Sequence, residues 1–227
     1  AMARLPSRPE QTTIQEYRER QQRLTSQIRQ DDVLILASPP FAVHSNDVEY
    51  RYRTSSDLLY MTGWTEPETV FVLRHNEGNW ISSLFVQPQD TLKEIWEGRR
   101  PGVEGAMSNF AVDEAYNNDQ LEEKLEGWLT DARRVFHRGG VHAGIDRLVE
   151  SAVRRRDRAR QHFGTGPVAV EDPSGMLAEL RLRKSSSEIE QMVYASKVAA
   201  IAHELAMRHS REGVTEYQLQ SVIEGFF

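Results

Sequence analysis

Asp31-Asp32-Val33-Leu34-Ile35-Leu36-Ala37-Ser38-Pro39-Pro40 decides the fold class. Five apolar residues in a row leave no polar face, so this is a strand buried on both sides. Two aspartates lead into it and Pro39-Pro40 stop it, because proline has no N–H to give a ladder. A strand of this kind belongs inside a sheet with helices on both faces. Upstream, Thr13 and Glu16 cap an amphipathic helix with Ile14, Tyr17, Gln21, Leu24 and Ile28 along one stripe. Downstream, residues 41–68 read as mostly irregular, mixing polar and aromatic side chains.

Thr69–Arg74 and Trp80–Val86 are strand-like, and His75-Asn76-Glu77-Gly78-Asn79 between them reads as a hairpin loop. Lys93–Gly102 is charged and aromatic. Asn118–Thr130 is helical, with Leu121, Leu125, Trp128 and Leu129 inward. Arg134–His137 is a strand, and a second short strand is expected at Val141–Ile145 after a Gly139-Gly140 turn. Arg147–His162 is helical, Pro167–Val170 an edge-like strand, and Ser174–Arg183 a helix. Strands alternating with helices, plus one hairpin, predict an α/β fold with a mixed sheet flanked by helices. The boundary of this first domain is expected at residues 183–184.

From Lys184 the pattern changes to two helices. Ser187 and Glu190 read as a capping box, and Ile189, Met192, Val193, Ala199, Ala200 and His203 recur along the helix they open. Thr215 and Gln218 open a second helix bearing Leu219, Val222, Ile223, Phe226 and Phe227. A helix carrying Gly-Phe-Phe at its end has apolar surface in need of a partner. Residues 184–227 are therefore expected to open a second domain that is incomplete here. Within this chain they should be disordered, swapped onto another copy, or packed in an oligomer.

Composition narrows the function. The 227 residues carry a formal net charge of −6, which argues against a general nucleic-acid surface. The basic run Arg154, Arg155, Arg156, Arg158 and Arg160 reads as a solvated face, opposite Leu148, Val149, Ala152 and Val153. No apolar run approaches the ~20 residues of a membrane span. The start, Ala1–Pro9, lacks the apolar core of a signal peptide. Cysteine is absent, which removes thiolate metal sites and a cysteine nucleophile, and fits a cytoplasmic location.

No complete catalytic constellation is visible. His203-Glu204 begins like H-E-x-x-H, but the next histidine is His209, about 600° round a helix, so the imidazoles diverge. His44, Asp47 and Glu49 lie close together in a loop, a set that suits a cation or, more often, turn capping. The densest region runs from Glu49 to Glu68. It holds Tyr50, Arg51, Tyr52, Arg53, Asp57, Tyr60, Trp64 and the Glu66-Pro67-Glu68 turn. Such a cluster either pins a long loop to the sheet or forms a binding surface.

These residues carry a resemblance. Tyr50-Arg51-Tyr52-Arg53, then Ser56-Asp57-Leu58-Leu59-Tyr60-Met61-Thr62-Gly63-Trp64 and Glu66-Pro67-Glu68, resemble the signature of the N-terminal domain of Xaa-Pro aminopeptidases. Glu94-Ile95-Trp96-Glu97-Gly98-Arg99-Arg100 is a second match. Lys184-Ser185, Glu188-Ile189, Ala202-His203 and Gly213-Val214-Thr215-Glu216-Tyr217 resemble the start of that family's catalytic domain. The resemblance implies a creatinase-like α/β domain over residues 1–183, followed at 184–227 by the first helices of a "pita-bread" metallopeptidase domain. It implies a parent exopeptidase that releases the residue before proline, using two manganese ions held by two Asp, one His and two Glu. All of those ligands would lie downstream of this chain, which is accordingly expected to be inactive alone. The partners implied are Xaa-Pro peptides for the parent, the catalytic domain, and further copies of the chain. Trp96 is implied to reach a neighbouring active site or else to pack its own loop, with Arg99 and Arg100 fixing that loop through carboxylates. A stand-alone assembly module and a prolidase relative are the alternatives.

Overall fold

A computed structural model of the chain describes residues 6–46, 48–158 and 165–227, without the side chains of Glu97 and Arg158. Asp47, Arg160 and His162, singled out above, lie outside the described residues. The chain forms two compact units, one spanning Thr13–Leu182 and the other joining Arg183–Phe227 to residues 6–12.

In the larger unit, α1 (Ile14–Thr25) opens with the Thr13 side chain accepting from the Glu16 N–H. The run quoted first is β1 (Asp32–Ala37), buried at every position. A small hairpin, β2 (Val43–Ser45) with β3 (Val48–Glu49), precedes α2 (Ser56–Thr62). β4 (Val70–Asn76) and β5 (Asn79–Val86) form the expected hairpin, turning at Glu77 and Gly78, both with positive φ. Then come α3 (Thr91–Glu97), α4 (Gly102–Asn109) and β6 (Glu114–Asn117). A short 3-10 turn leads into α5 (Leu121–Asp131), followed by β7 (Arg134–His137) and α6 (Ala143–Arg158). β8 (Ala169–Glu171) and α7 (Ser174–Leu182) close the unit.

The six-stranded sheet has the order β6-β5-β4-β1-β7-β8. β4 runs antiparallel to both β1 and β5, while β1–β7, β7–β8 and β5–β6 are parallel. Alternation along β1 sends Leu34 and Leu36 into one core with Leu24, Leu58, Met61 and Trp64. Val33 and Ile35 enter the other core, with Leu125, Leu129, Ile145 and Val149. Helices thus cover both faces, as the unbroken apolar run required.

A charge cluster ties the middle strands together. Asp32 is buried, and its carboxylate accepts from the Arg29 N–H at 2.8 Å and from Arg134 Nε and Nη2 at 3.0 and 2.6 Å. Arg134 also reaches Glu171 at 3.0 Å, so one guanidinium links β1, β7 and β8. Its hydrogen bonds to Asp32 push its pKa further up.

Several expectations are corrected. Val141–Ile145 is no strand: α6 begins at Ala143, where His142 Nδ1 accepts from the Ile145 N–H at 3.3 Å and caps the first turn. Residues 41–68 contain α2 and the β2–β3 hairpin. Neither α4 nor β6 was expected.

In the smaller unit, α8 (Ser186–His209) is capped by Ser185 and Glu188, two residues earlier than the sequence suggested. α9 (Glu216–Glu224) has Gln218 accepting from the Thr215 N–H at 3.0 Å, as expected. Residues 184–227 are therefore two formed helices, not a disordered segment. Val198 and Ala202 are buried, whereas Ile189, Met192 and Val193 are exposed. His203 is exposed too, and His209 is held by the Leu205 carbonyl at 2.8 Å.

Candidate functional site

The dense segment from Tyr50 to Glu68 folds into the scaffold around α2. Ser55 caps the helix by accepting from the Leu58 N–H at 3.3 Å. Asp57 pairs with Arg181 of α7 at 2.6 Å. Tyr60 is buried and donates its hydroxyl to the Leu180 carbonyl at 2.9 Å. Arg20, itself buried, lies 4.3 Å over the Tyr60 ring and donates to the Tyr60 carbonyl at 3.0 Å. Gly63 ends the helix at φ +77°, a left-handed conformation that favours glycine.

The turn that follows is equally internal. Trp64 is 1 % exposed, and its indole N–H donates to Thr69 Oγ1 at 2.8 Å. That hydroxyl reaches the Glu66 and Pro67 carbonyls at 3.2 and 3.0 Å. Glu68 accepts from the Gln87 side chain at 2.8 Å, and its carbonyl from Asn118 at 2.7 Å. Of the earlier residues, Tyr50 is exposed and packs edge-on against His44 at 5.0 Å, Tyr52 packs on Phe41 at 5.1 Å, and Arg53 is exposed. From Asp57 to Glu68, then, the segment is held by bonds inside the domain.

The second motif behaves differently. α3 is capped by Asp90, which accepts from the Leu92 and Lys93 N–H groups at 3.1 and 3.2 Å. Leu92, Ile95 and Trp96 share one helical face and are all exposed, Trp96 by 89 %. Arg100 donates to the Pro88 carbonyl at 3.3 Å, and Arg99 is exposed and forms no ion pair with another described residue. Among the described residues no ring contact or shared cleft joins Trp96 to the Tyr50–Glu68 segment.

A cleft lies elsewhere, at the carboxyl ends of β1 and β7. It has a volume of about 350 Å³ and is lined by Ala37, Pro39, Ser55, His137, Arg138 and Ser174, among others. His137 is 5 % exposed, and its Nε2 lies 2.7 Å from Asp146 Oδ1. That hydrogen bond, helped by the Gly140 N–H, holds the Asp146 carboxyl below the usual range. Asp172 is lowered as well, by the Ser174 hydroxyl. Sequence reading did not single out His137 or Asp146; nine residues apart on a strand end and a helix, they carry no spacing signal.

Among the described residues there is no group of three or more His, Asp or Glu able to hold a metal ion. The donors present therefore do not fit a two-metal centre. Also among the described residues, no helix is long and apolar enough to cross a membrane.

Comparison with known proteins agrees with this architecture. The family model described as "Aminopeptidase P, N-terminal domain" matches residues 17–136. The Xaa-Pro aminopeptidase of Escherichia coli is 34% identical over 214 residues, which are 94% of this chain and 48% of that protein. Human Xaa-Pro aminopeptidase 3 is 28% identical, covering 86% of this chain and 38% of that protein. Among solved structures, the low-pH form of E. coli aminopeptidase P superposes with a TM-score of 0.87 at 33% identity, over 96% of this chain and 50% of that one. Proline aminopeptidase P II from Yersinia pestis gives 0.86 at 36%, over 95% and 50%. A zinc-substituted form of the E. coli enzyme in complex with product gives 0.87 at 33% identity, over 96% of this chain and 50% of that one. The chain spans about half the length of its bacterial relatives. With the motif, the sheet and the sequence match in agreement, the chain belongs to the aminopeptidase P N-terminal domain family.

Proposed function

We propose that this chain forms the non-catalytic N-terminal portion of a Xaa-Pro aminopeptidase, a manganese-dependent exopeptidase that releases the residue preceding proline. The role of these 227 residues is assembly and the partial roofing of a neighbouring copy's active site. A C-terminal metallopeptidase domain supplies the chemistry, Xaa-Pro peptides are its substrates, and the assembly is a cytoplasmic homo-oligomer. Alone, the chain is inactive. Chemistry of this kind uses bound metals as Lewis acids and as a template for an activated water, and the donors for it are not gathered among the described residues.

The observation that carries the reading is the Leu92–Ile95–Trp96 face. A capped seven-residue helix exposes three large apolar side chains, including an 89 %-exposed tryptophan, on a domain whose other signature tryptophan is fully enclosed. Exposed apolar clusters of this kind mark interaction surfaces, and tryptophan is over-represented among the residues that dominate interfaces. Sedimentation velocity tests it. The chain should self-associate with rising concentration, and Trp96→Ala should shift the population toward monomer without changing the unfolding midpoint. Wild-type protein that stays monomeric at every concentration refutes the assembly role.

A further inference from the structure

β1 and β7 are parallel neighbours, yet the chain leaves them toward opposite faces of the sheet. After Ala37 it runs to α2, whose Leu58 and Met61 join the Leu34 core. After His137 it runs to α6, whose Ile145 and Val149 join the Val33 core. Loops diverging from adjacent parallel strands open a crevice outside their carboxyl ends, and this is where open α/β sheets take ligands. The 350 Å³ cleft occupies that position and lies wholly within the Thr13–Leu182 unit.

His137 lines it. An ionised carboxylate only accepts hydrogen bonds, so the nitrogen facing Asp146 at 2.7 Å, Nε2, carries a hydrogen. The other ring nitrogen, Nδ1, is buried and has no hydrogen-bond partner among the described residues. Buried polar atoms are nearly always satisfied, and each exception calls for a reason. The remaining charges favour one class of partner. Asp57 is matched by Arg181 at 2.6 Å, Asp146 by His137, and Asp172 by the N–H and O–H of Ser174 at 2.8 and 2.5 Å. Arg138, next in sequence to His137, lines the cleft; its charge helps hold the Asp172 carboxyl low, but it forms no ion pair with another described residue. Ser55 accepts from the Leu58 N–H and gives its own hydroxyl hydrogen to no other described residue. The carboxylates are occupied; what is left over is the Arg138 guanidinium, the Ser55 hydroxyl and His137 Nδ1, which accepts in the neutral ring and donates once the ring is protonated.

We propose that this cleft binds a small molecule through an oxyanion head group, a carboxylate or a phosphate, held between His137 Nδ1 in its protonated form and the Arg138 guanidinium. Ionised Asp146 supports the imidazolium from behind, and Pro39, Ala37 and Val141 offer an apolar wall to a short aliphatic body. The inference does not depend on the peptidase reading.

The test is titration of the 227-residue chain with inorganic phosphate and, separately, with succinate, against chloride at matched ionic strength. The readout is the pair of His137 imidazole nitrogens in long-range proton–nitrogen spectra. The expected result is a saturable shift of Nδ1 with at least one of the two anions, and the preferred anion names the head group. Arg138→Gln, at an exposed position, should keep the melting temperature and weaken binding by about tenfold, the size of one charged hydrogen bond. Failure of both anions to give a saturable shift beyond chloride overturns the proposal, and so does undiminished binding by Arg138→Gln.

Discussion

Replacing Gly63 by alanine tests whether the family signature is architectural. Gly63 ends α2 at φ +77°, where a side chain costs about 1–2 kcal/mol. A Cβ there would also sit 2.9 Å from Tyr17 Cζ and Oη, and 3.0 Å from Cε2, closer than real contacts allow. Tyr17 is half-buried, so its ring can swing aside, but in doing so it leaves the Arg20 guanidinium 5.0 Å from its centroid. Losing that cation–π contact costs about 0.5–1 kcal/mol. Together the two effects give a destabilisation of about 1.5–3 kcal/mol, or a fall of about 3–12 °C in melting temperature for a unit of this size. Urea unfolding followed by tryptophan fluorescence measures it. Gly78→Ala is the control, because Gly78 has φ +88° with nothing within 4 Å of the added Cβ, so that variant carries the backbone strain alone. If Gly63→Ala costs no more than Gly78→Ala, the Tyr17 contact contributes nothing and the argument fails.

Arg134→Met should cost about 3 kcal/mol in urea unfolding, because it leaves the buried Asp32 carboxylate without its counter-charge. Adding Asp32→Asn should recover part of that loss, and a double variant no more stable than Arg134→Met would contradict the pairing. Asp146 has a lowered pKa in the folded state, so its contribution to stability is present above the unfolded value of about 3.9 and is lost as pH falls through the folded one. Asp146→Asn should accordingly be less stable than wild type at neutral pH, and the gap should close below about pH 4; a gap independent of pH would refute the assignment. Trp96→Ala, at an exposed position, should leave the chain's unfolding free energy within about 0.5 kcal/mol of wild type. A larger loss would show that the residue packs its own loop.

What the sequence revealed follows from how each element is stabilised. β1 was legible because burial on both faces writes an unbroken apolar run, and the β4–β5 hairpin because Glu77-Gly78 supplies two positive φ angles. β6 was not, because Glu-Ala-Tyr-Asn has no apolar pattern; polar bonds hold its start, with Glu114 reaching Arg74 and Ser83 at 3.0 and 2.8 Å, and the preceding Asp113 reaching Ser82 at 2.7 Å. Nor was α2, since the seven residues between its caps, Ser55 and Gly63, give too little periodicity. Val141–Ile145 looked like a strand because its apolar residues hide a histidine cap. The signature motif could be recognised, but not its role: only the coordinates show Asp57, Tyr60 and Trp64 bonded inward while Trp96 points nowhere within the domain. The His137–Asp146 pair was invisible, because a strand end meets a helix only after folding.

The most direct test of the proposed division of labour is an activity measurement on the 227-residue chain, with its mass verified and manganese present. The substrate is a Xaa-Pro peptide, and the E. coli Xaa-Pro aminopeptidase serves as positive control. The account predicts no release of the N-terminal residue by this chain under conditions where the control turns over. Sustained release, proportional to the concentration of the chain, would contradict it.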